Sequence, residues 1–417
     1  MKIITANKYH FLNGGAERYM LSLTEELRNQ GHEVIPFGIR YDRNIPTDYD
    51  EYFIAPAGSG DQIRLNRQEG GALTRLRIAA RAVYSLEAKS LMNRLVSDTN
   101  PDLLYCLNIV NHMSPSIIDS AAKHGVPVVM RLSDYNLVCP SYLCLREGSV
   151  CTECYAGYHR ALKYKCIYGS MSATACRVIA MYAHKWLGLY DKVGAFVTPA
   201  KTLRHALIKC GFPEEKVHYI PTFVNISNWN PCYENHGYIL YFGRLTPEKG
   251  INVLIDAYCA SGVSDPLVVV GDGNPDYVAG LKLKVPENMR ERIHFVGEKS
   301  GEELRDVVRY AKYVVVPSVC FDNSPNVVYE SFAAGKPVVG SAIGGIQEQV
   351  NSNVGMLVKP GDVTELAQAL QSLSADTERL ELLGRNARRL VEEEHNVKTH
   401  IERLLRLFGE VCSAGGQ

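Results

Sequence analysis

Four short apolar runs in the second half of the chain each stop at a glycine or polar loop. Three of those loops lead into helical or turn-forming stretches, and this rhythm limits the fold more than any other feature. Tyr238 to Phe242 reads as a buried strand ending at Gly243. Arg244-Leu245-Thr246-Pro247-Glu248-Lys249-Gly250 then leads into a periodic helix with Ile251, Leu254, Ile255 and Tyr258 on one face. Leu267 to Val270 ends at Gly271-Asp272-Gly273, and Tyr313 to Val316 runs into a polar loop carrying Asp322 and Ser324. Pro337 to Gly340 is followed by Gly344-Gly345. Strands alternating with helices belong in a parallel sheet covered on both faces. Four such strand ends within about a hundred residues describe one doubly wound, Rossmann-like α/β domain, whose ligands bind outside the carboxyl ends of the strands.

Two of these strand ends carry chemistry. Ser324 suits a helix N-cap and Pro325 the first helical turn. The free amides of Asn326, Val327 and Val328 then point out of the helix start, where an anion sits. Glu330 lies one turn after Asn326 on the same face. Asp322 and Glu330 thus bracket a phosphate-sized site, and carboxylates accept hydrogen bonds from hydroxyls, so the pair suits a sugar attached to a phosphate. At the other strand end, Arg244 offers a two-pronged donor and Lys249 a compact charge for phosphate oxygens. Thr246 reads as a cap and Pro247 as the first helical residue, which puts Lys249 in a first turn. There it opposes the helix dipole unless it meets an anion. Each motif taken alone also fits an ordinary crossover with solvent-facing acids and surface ion pairs.

Taken together, Arg244, Lys249 and the acidic pair Asp322 and Glu330 resemble the signature of retaining, nucleotide-sugar-dependent GT-B glycosyltransferases of family 4, the "glycosyl transferases group 1". The resemblance covers nearly the whole chain, and its specific part lies between Gly243 and Glu348. It implies a GT-B fold, two Rossmann-like doubly wound domains facing a central cleft. It further implies that Arg244 and Lys249 hold the donor diphosphate, Glu330 the ribose hydroxyls and Asp322 the donor-sugar hydroxyls. Gly14 and Gly15 match the family's N-terminal loop that faces the reaction centre, and Gly243 and Gly271 fall at the donor site. In that scheme the departing phosphate helps to take the acceptor proton, and no catalytic Mg²⁺ or Mn²⁺ is expected. Two positions depart from the family. Its first acid is usually Glu, and Asp322 shortens the reach by one methylene. Many relatives carry a His-Asp pair after the strand corresponding to Val126 to Met130, whereas this chain has Ser133-Asp134. Asp134 remains the candidate for orienting sugar or acceptor. His10 and His112 are near in chain order, and a lone His is more often structural. Asp48-Tyr49-Asp50 matches the metal-binding pattern of a different transferase fold, and its polar loop makes a chance match.

A length of 417 residues calls for two or three domains. In the first half, Ile3 to Ala6 reads as a strand, and Asn13-Gly14-Gly15-Ala16-Glu17-Arg18 turns into a helix running to about Asn29. Strands also fit Leu103 to Tyr105, Val126 to Met130, Ala195 to Thr198 and Val217 to Ile220. The expected division is an N-terminal, acceptor-side domain over 1–220, a linker over 221–236 and a nucleotide-sugar domain over 237–395. A terminal helix over 396–417 packs back on the first domain, as in the family. A formal net charge of zero gives no global pull toward nucleic acid, so no nucleic-acid partner is expected. The apolar run at Met1 to Ala6 is too short for a signal peptide, and no segment is long and apolar enough to span a bilayer. The expected compartment is the cytoplasm, where thiols stay reduced or bind metal.

Six of the 12 cysteines fall between Cys139 and Cys176. Cys151 and Cys154 form a CxxC knuckle, with Cys139 or Cys144 before it, Cys166 after it and His159 as the nearest alternative ligand. A closed tetrahedral structural Zn site, reduced thiols, and a disulfide or redox pair all fit this spacing. Polysaccharide-assembly members of the family have a similar cysteine-rich insert. From Tyr155 to Tyr190 the chain has no Asp or Glu, while Arg160, Lys163, Lys165, Arg177 and Lys185 alternate with aromatic residues. A helical stretch from Leu73 to Leu95 adds Arg75, Arg77, Arg81, Lys89 and Arg94. Such surfaces suit anionic lipid and equally suit water. The expected activity is transfer of a sugar from a UDP- or GDP-type donor to a hydroxyl of a glycan or lipid-linked acceptor. Its setting is assembly of cell-surface polysaccharide, lipopolysaccharide included, peripherally on the inner face of the cell membrane. An epimerase or sugar-phosphate synthase on the same scaffold, or a non-catalytic membrane scaffold that binds sugar nucleotides, would share the fold.

Overall fold

Every strand pairing in the two large sheets is parallel, which follows from apolar runs that each need cover on both faces. The computed structural model describes residues 1–56, 72–110 and 113–415. The first sheet holds β1 (Lys2–Ala6), β2 (Glu33–Phe37), β3 (Leu103–Cys106) and β4 (Val128–Arg131). A small antiparallel hairpin, β5 (Leu145–Arg146) and β6 (Ser149–Val150), interrupts it before β7 (Ala195–Thr198) and β8 (Val217–Tyr219) complete it. The order is β2-β1-β3-β4-β7-β8. The second sheet comprises β9 (Ile239–Phe242), β10 (Leu267–Val270), β11 (Ile293–Gly297), β12 (Tyr313–Val316), β13 (Val338–Ser341) and β14 (Gly355–Val358). Its order is β11-β10-β9-β12-β13-β14, so the chain reverses direction across the sheet between β9 and β12 and opens a crevice there. This is the expected α/β architecture of two Rossmann-like sheets.

Local corrections concern helix starts. Helix Asn326–Ala333 begins one residue later than the cap pattern predicts: Pro325 occupies the N-cap position and Ser324 caps nothing. Pro247–Lys249 forms a separate 3₁₀ turn, and left-handed Gly250 (φ 70°) opens helix Ile251–Ser261. Lys249 therefore stands before that helix rather than in its first turn. A Cβ at position 250 would lie 1.9 Å from the Pro317 carbonyl oxygen, so only glycine lets these two strand ends meet.

The domains are joined twice, at 221–224 and 395–396, where Val224 and Asn396 form a parallel bridge and the Val224 amide donates to the His395 carbonyl at 2.9 Å. The terminal helix Val397–Gly415 crosses to the first domain. There Ile401, Leu404, Leu407 and Phe408 share a buried cluster with Ile3, Tyr19, Leu23 and Tyr105.

The basic stretch at 73–95 is two helices, Ala72–Val83 and Leu86–Thr99, separated where Ser85 caps the second. Its described cations are spent on neighbours: Arg81 pairs with Glu87, Lys89 with Asp119 and Arg94 with Glu51. The side chains of Arg75 and Arg77 lie outside the described residues, as does His112.

Candidate active site

The cleft between the sheets encloses a cavity of ≈ 490 Å³ lined from both domains. The first domain supplies Gly14, Gly15, Arg18, Arg131 and Ser133, and the second supplies Gly243, Arg244, Lys249, Gly271, Asp322 and the start of helix Asn326–Ala333. Two helix starts meet across it. The Asn326 side-chain amide reaches the Gly15 carbonyl at 3.5 Å, beside the first turn of helix Gly15–Asn29. Both starts aim amides and positive dipole ends into the cleft.

Asn326, Val327 and Glu330 line the cleft, but Val328 does not. Val328 is fully buried, and its amide donates to the Pro325 carbonyl at 3.1 Å, so the expected third free amide is already used. Asp322 pairs with Lys249 and accepts from the Ser318 hydroxyl at 3.1 Å. Glu330 is buried and pairs with Arg18, which is 47% exposed. Burial pushes the Glu330 carboxyl above its ordinary range, and Arg18 opposes that shift. Among the described residues, the guanidinium of Arg244 makes no hydrogen bond or ion pair. The backbone beneath is close-packed: a Cβ at Gly271 would sit 1.9 Å from the Gly243 carbonyl oxygen.

The structure places Asp134 differently from Ser133. Ser133 lines the cleft, while the Asp134 carboxylate turns to Asn136, accepting from its backbone amide at 2.9 Å and its side chain at 2.7 Å. Burial raises the Asp134 carboxyl. His10 packs edge-on against Phe53, and Asp48 and Asp50 are exposed; none of the three lines the cleft.

Sequence reasoning passed over Arg18, Arg131, Thr222, Glu298, Lys299 and Asn323, which also line it. Arg18 had a usable signal, since it lies one helical turn after Gly14-Gly15. Arg131 is buried, lies over the Tyr19 ring at 3.9 Å and donates to Thr222 at 2.7 Å. Asn323 donates to the Leu132 carbonyl across the cleft at 3.2 Å. Such cations and helix starts can hold a diphosphate, and the carboxylates between them can hold hydroxyls.

The cysteine insert brings Cys139, Cys144, Cys151, Cys154 and Cys166 into one neighbourhood, and all 12 thiols are free. A hydrogen bond from Cys144 holds the Cys139 thiol down at about 6, and Cys144 is pushed up in return. Among the described residues, no group of three or more His, Cys, Asp or Glu stands where it can hold a metal ion. His159 bonds instead to the Tyr182 hydroxyl at 2.9 Å.

Two Rossmann-like domains facing a cleft lined by cations and two acids form the GT-B architecture. Comparison with known proteins gives the family. The model "Glycosyl transferase 4-like domain" matches residues 14–222, half of the chain, and "Glycosyl transferases group 1" matches 225–390. The chain is 28% identical over 237 residues to an uncharacterised glycosyltransferase of Methanocaldococcus jannaschii, covering 52% of this chain and 60% of that protein. It is 30% identical over 208 residues to the amylovoran biosynthesis glycosyltransferase AmsK of Erwinia amylovora, covering 46% and 50%. The matches thus span only 60% and 50% of these curated relatives. Among solved structures, sucrose-phosphate synthase of Thermosynechococcus elongatus superposes with TM-score 0.70 at 19% identity, covering 99% of each chain. Anabaena HepE in complex with UDP-glucose gives 0.68 at 17%, covering 99% of this chain and 100% of that one. These likenesses speak for the fold. The chain belongs to family 4 (group 1) of the GT-B glycosyltransferases, the retaining, nucleotide-sugar-dependent type.

Proposed function

We propose that the enzyme moves a sugar from a UDP-type donor to a hydroxyl of a glycan or lipid-linked acceptor during cell-surface polysaccharide assembly. One observation carries the reading: in the cleft, Lys249 and Arg18 are paired with Asp322 and Glu330, the two acids of the family signature. An arriving diphosphate competes for those cations and frees the acids for sugar and ribose hydroxyls. Arg244, Lys249 and the amides of Asn326 and Val327 then stabilise the charge that grows on the leaving diphosphate. Gly14, Gly15, Gly243 and Gly271 let the backbone approach the donor. Asp134 acts on the acceptor side through the loop it anchors. The uracil base is suggested by HepE with UDP-glucose, and the polysaccharide setting by AmsK.

A place on an anionic membrane surface fits one face of helix Met171–Trp186. Met171, Ile179, Trp186 and neighbouring Leu187 are exposed, Trp186 by 81%. Lys163, Lys165 and Lys185 lie nearby in sequence, although Arg160 pairs with Glu153 and Arg177 is buried. Among the described residues, no helix is long and apolar enough to cross a membrane.

A thermal-shift screen of UDP- and GDP-sugars tests the donor, because a ligand that binds only the folded state raises the melting temperature. Donor turnover should be lost in Arg244→Ala and Glu330→Ala. Normal turnover in both variants would refute the assignment.

A further inference from the structure

The cysteine insert carries most of the chain's backbone strain. Among the described residues, seven non-glycine positions have positive φ, and five of them, Tyr142, Cys144, Glu147, Lys165 and Tyr168, fall between Cys139 and Cys176. A left-handed backbone is unfavourable for a bulky L residue, because its Cβ crowds the following carbonyl. Tyr142 (φ 57°) is strained in this way and is also 46% exposed, so its ring gains little from any core. Folding alone gives no reason for an aromatic residue there. Yet the loop holds it in place: the Tyr142 amide donates to the Cys139 carbonyl at 2.9 Å, and Cys139 and Cys144 on either side are buried. Strain of this kind clusters where a fold presents a side chain to a ligand.

What Tyr142 faces points to the ligand. The root of the insert lies against the donor loop: Tyr135 stacks on Phe321, the neighbour of Asp322, with ring centroids 5.5 Å apart and an interplanar angle of 29°. The Cys139 amide donates to the Tyr135 carbonyl at 2.8 Å, which ties the tip to that contact. At the tip, the Tyr142 hydroxyl is within electrostatic reach of Arg244 and Glu248 of the second domain, and Tyr168 stands near it. Arg244 lines the donor cavity, whereas Tyr142 and Glu248 do not. The tyrosine therefore stands at the rim, beside the cation assigned to the leaving diphosphate and outside the space that the donor fills. The half-buried Glu248 carboxylate makes no hydrogen bond or ion pair among the described residues. An exposed aromatic face packs on the C–H face of a sugar ring, and a spare carboxylate accepts from a hydroxyl. A phosphate in the same place would meet the charge of Glu248.

We propose that Tyr142 is the acceptor platform: a sugar ring of the acceptor stacks on its exposed face and donates a hydroxyl hydrogen bond to Glu248. This role rests on the transferase reading above, and it makes the cysteine insert a part of the chain that selects the acceptor.

The test is a ligand-observed NMR titration of the full chain, saturated with UDP, with the methyl glycosides of glucose, galactose, mannose and N-acetylglucosamine. The thermal shifts given by UDP and UDP-glucose are measured alongside. At least one glycoside should bind. Tyr142→Gly, which suits the left-handed backbone and removes the ring, should weaken that binding about tenfold and leave both nucleotide shifts unchanged. Tyr142→Phe, which keeps the ring, should bind within about twofold of the parent. Octyl glycosides identify the source: tighter binding than the methyl glycoside of the same sugar marks a lipid-linked acceptor, equal binding marks a glycan chain, and either result upholds the site. The proposal is overturned if no glycoside binds, if Tyr142→Gly binds as well as the parent, or if Tyr142→Phe loses as much as Tyr142→Gly. It is also overturned if the UDP-glucose shift falls together with glycoside binding, which would put the ring on the donor. Absence of any UDP shift in the parent would instead refute the transferase reading, whereas a normal shift without glycoside binding refutes the platform alone.

Discussion

At the scale of single residues, the pair Arg18 and Glu330 is the most informative contact, because it joins the domains inside the cleft. Glu330 is buried, and burial raises its carboxyl above the ordinary 4.5, so its ionisation works against folding as pH rises through the folded value. Arg18 offsets that cost. Arg18→Ala should therefore be nearly neutral in stability below pH 4.5, where Glu330 is protonated, and should lose about 1 kcal/mol near neutrality, discounted for the exposure of Arg18. Glu330→Gln in the same background should restore the loss, since it removes the stranded charge. Melting temperatures of the two single variants and the double variant from about pH 4 to about pH 8 check this cycle, and a flat difference across that range would contradict it. The acids and the Arg244–Lys249 pair were legible because their spacing is local. Arg18's partnership was not, since its partner lies 312 residues away. The lost amide of Val328 was hidden for the opposite reason: one residue of slip at a Pro-containing cap changes which N–H groups are free.

Among the elements, the strands that the sequence exposes most clearly are those buried on both faces, such as β10 and β12, where continuous valine-rich runs end at glycine or a polar loop. β11 escaped notice because it is an edge strand, Ile-His-Phe-Val-Gly, mostly exposed, whose apolar alternation lasts only from Ile293 to Phe295. The terminal helix was legible as a helix, but the polar residue that seats it was not. His400 is buried: its Nδ1 lies 2.8 Å from the Pro221 carbonyl and must donate to it, and its Nε2 takes the Tyr19 hydroxyl at 2.9 Å. The second of these bonds, in which Nε2 accepts, requires the neutral ring. Burial, helped by Arg131, lowers its pKa to about 3. In the unfolded chain the ring protonates near 6.5, so unfolding takes up a proton between that value and about 3. Stability accordingly falls on acidification through this window, by up to about 1.4 kcal/mol per pH unit from this residue. His395, lowered to about 4 by burial, adds in the same direction. His400→Gln should make the melting temperature less dependent on pH between 6.5 and about 4, at some cost in stability near neutrality. An unchanged slope would mean that this helix is not what acid releases.

On the scale of the whole molecule, two domains that each fold around their own sheet must still be held at a working distance. Nothing in the sequence marks the device that does it. Glu348, at the end of a short turn of helix after Gly344-Gly345, reaches the other domain and accepts from the Lys201 and Thr202 amides at 2.6 and 2.7 Å and from the Thr202 hydroxyl at 2.6 Å. Those amides are the orphan donors at the start of helix Lys201–Lys209, whose own cap residue, Ala200, has no side-chain acceptor. A carboxylate from one domain thus caps a helix of the other, 147 residues earlier in the chain, and its charge complements the helix dipole. The bond crosses between the domains, so it favours the closed arrangement in which Asn323 meets Leu132 and Asn326 meets Gly15. Glu348 does not line the cleft, so its removal should leave the donor's direct contacts intact and shift the balance between open and closed forms. Loss of a charge-assisted cap costs about 1–2 kcal/mol. Glu348→Ala should therefore raise the KM for donor by about five- to thirtyfold if closure precedes binding, with a smaller change in kcat. Small-angle scattering should show a larger radius of gyration for the ligand-free variant than for the parent, and saturating nucleotide should bring the two together. Equal radii in the ligand-free state would show that the linker crossings alone set the cleft width, and that the Glu348 cap stabilises a helix without governing closure.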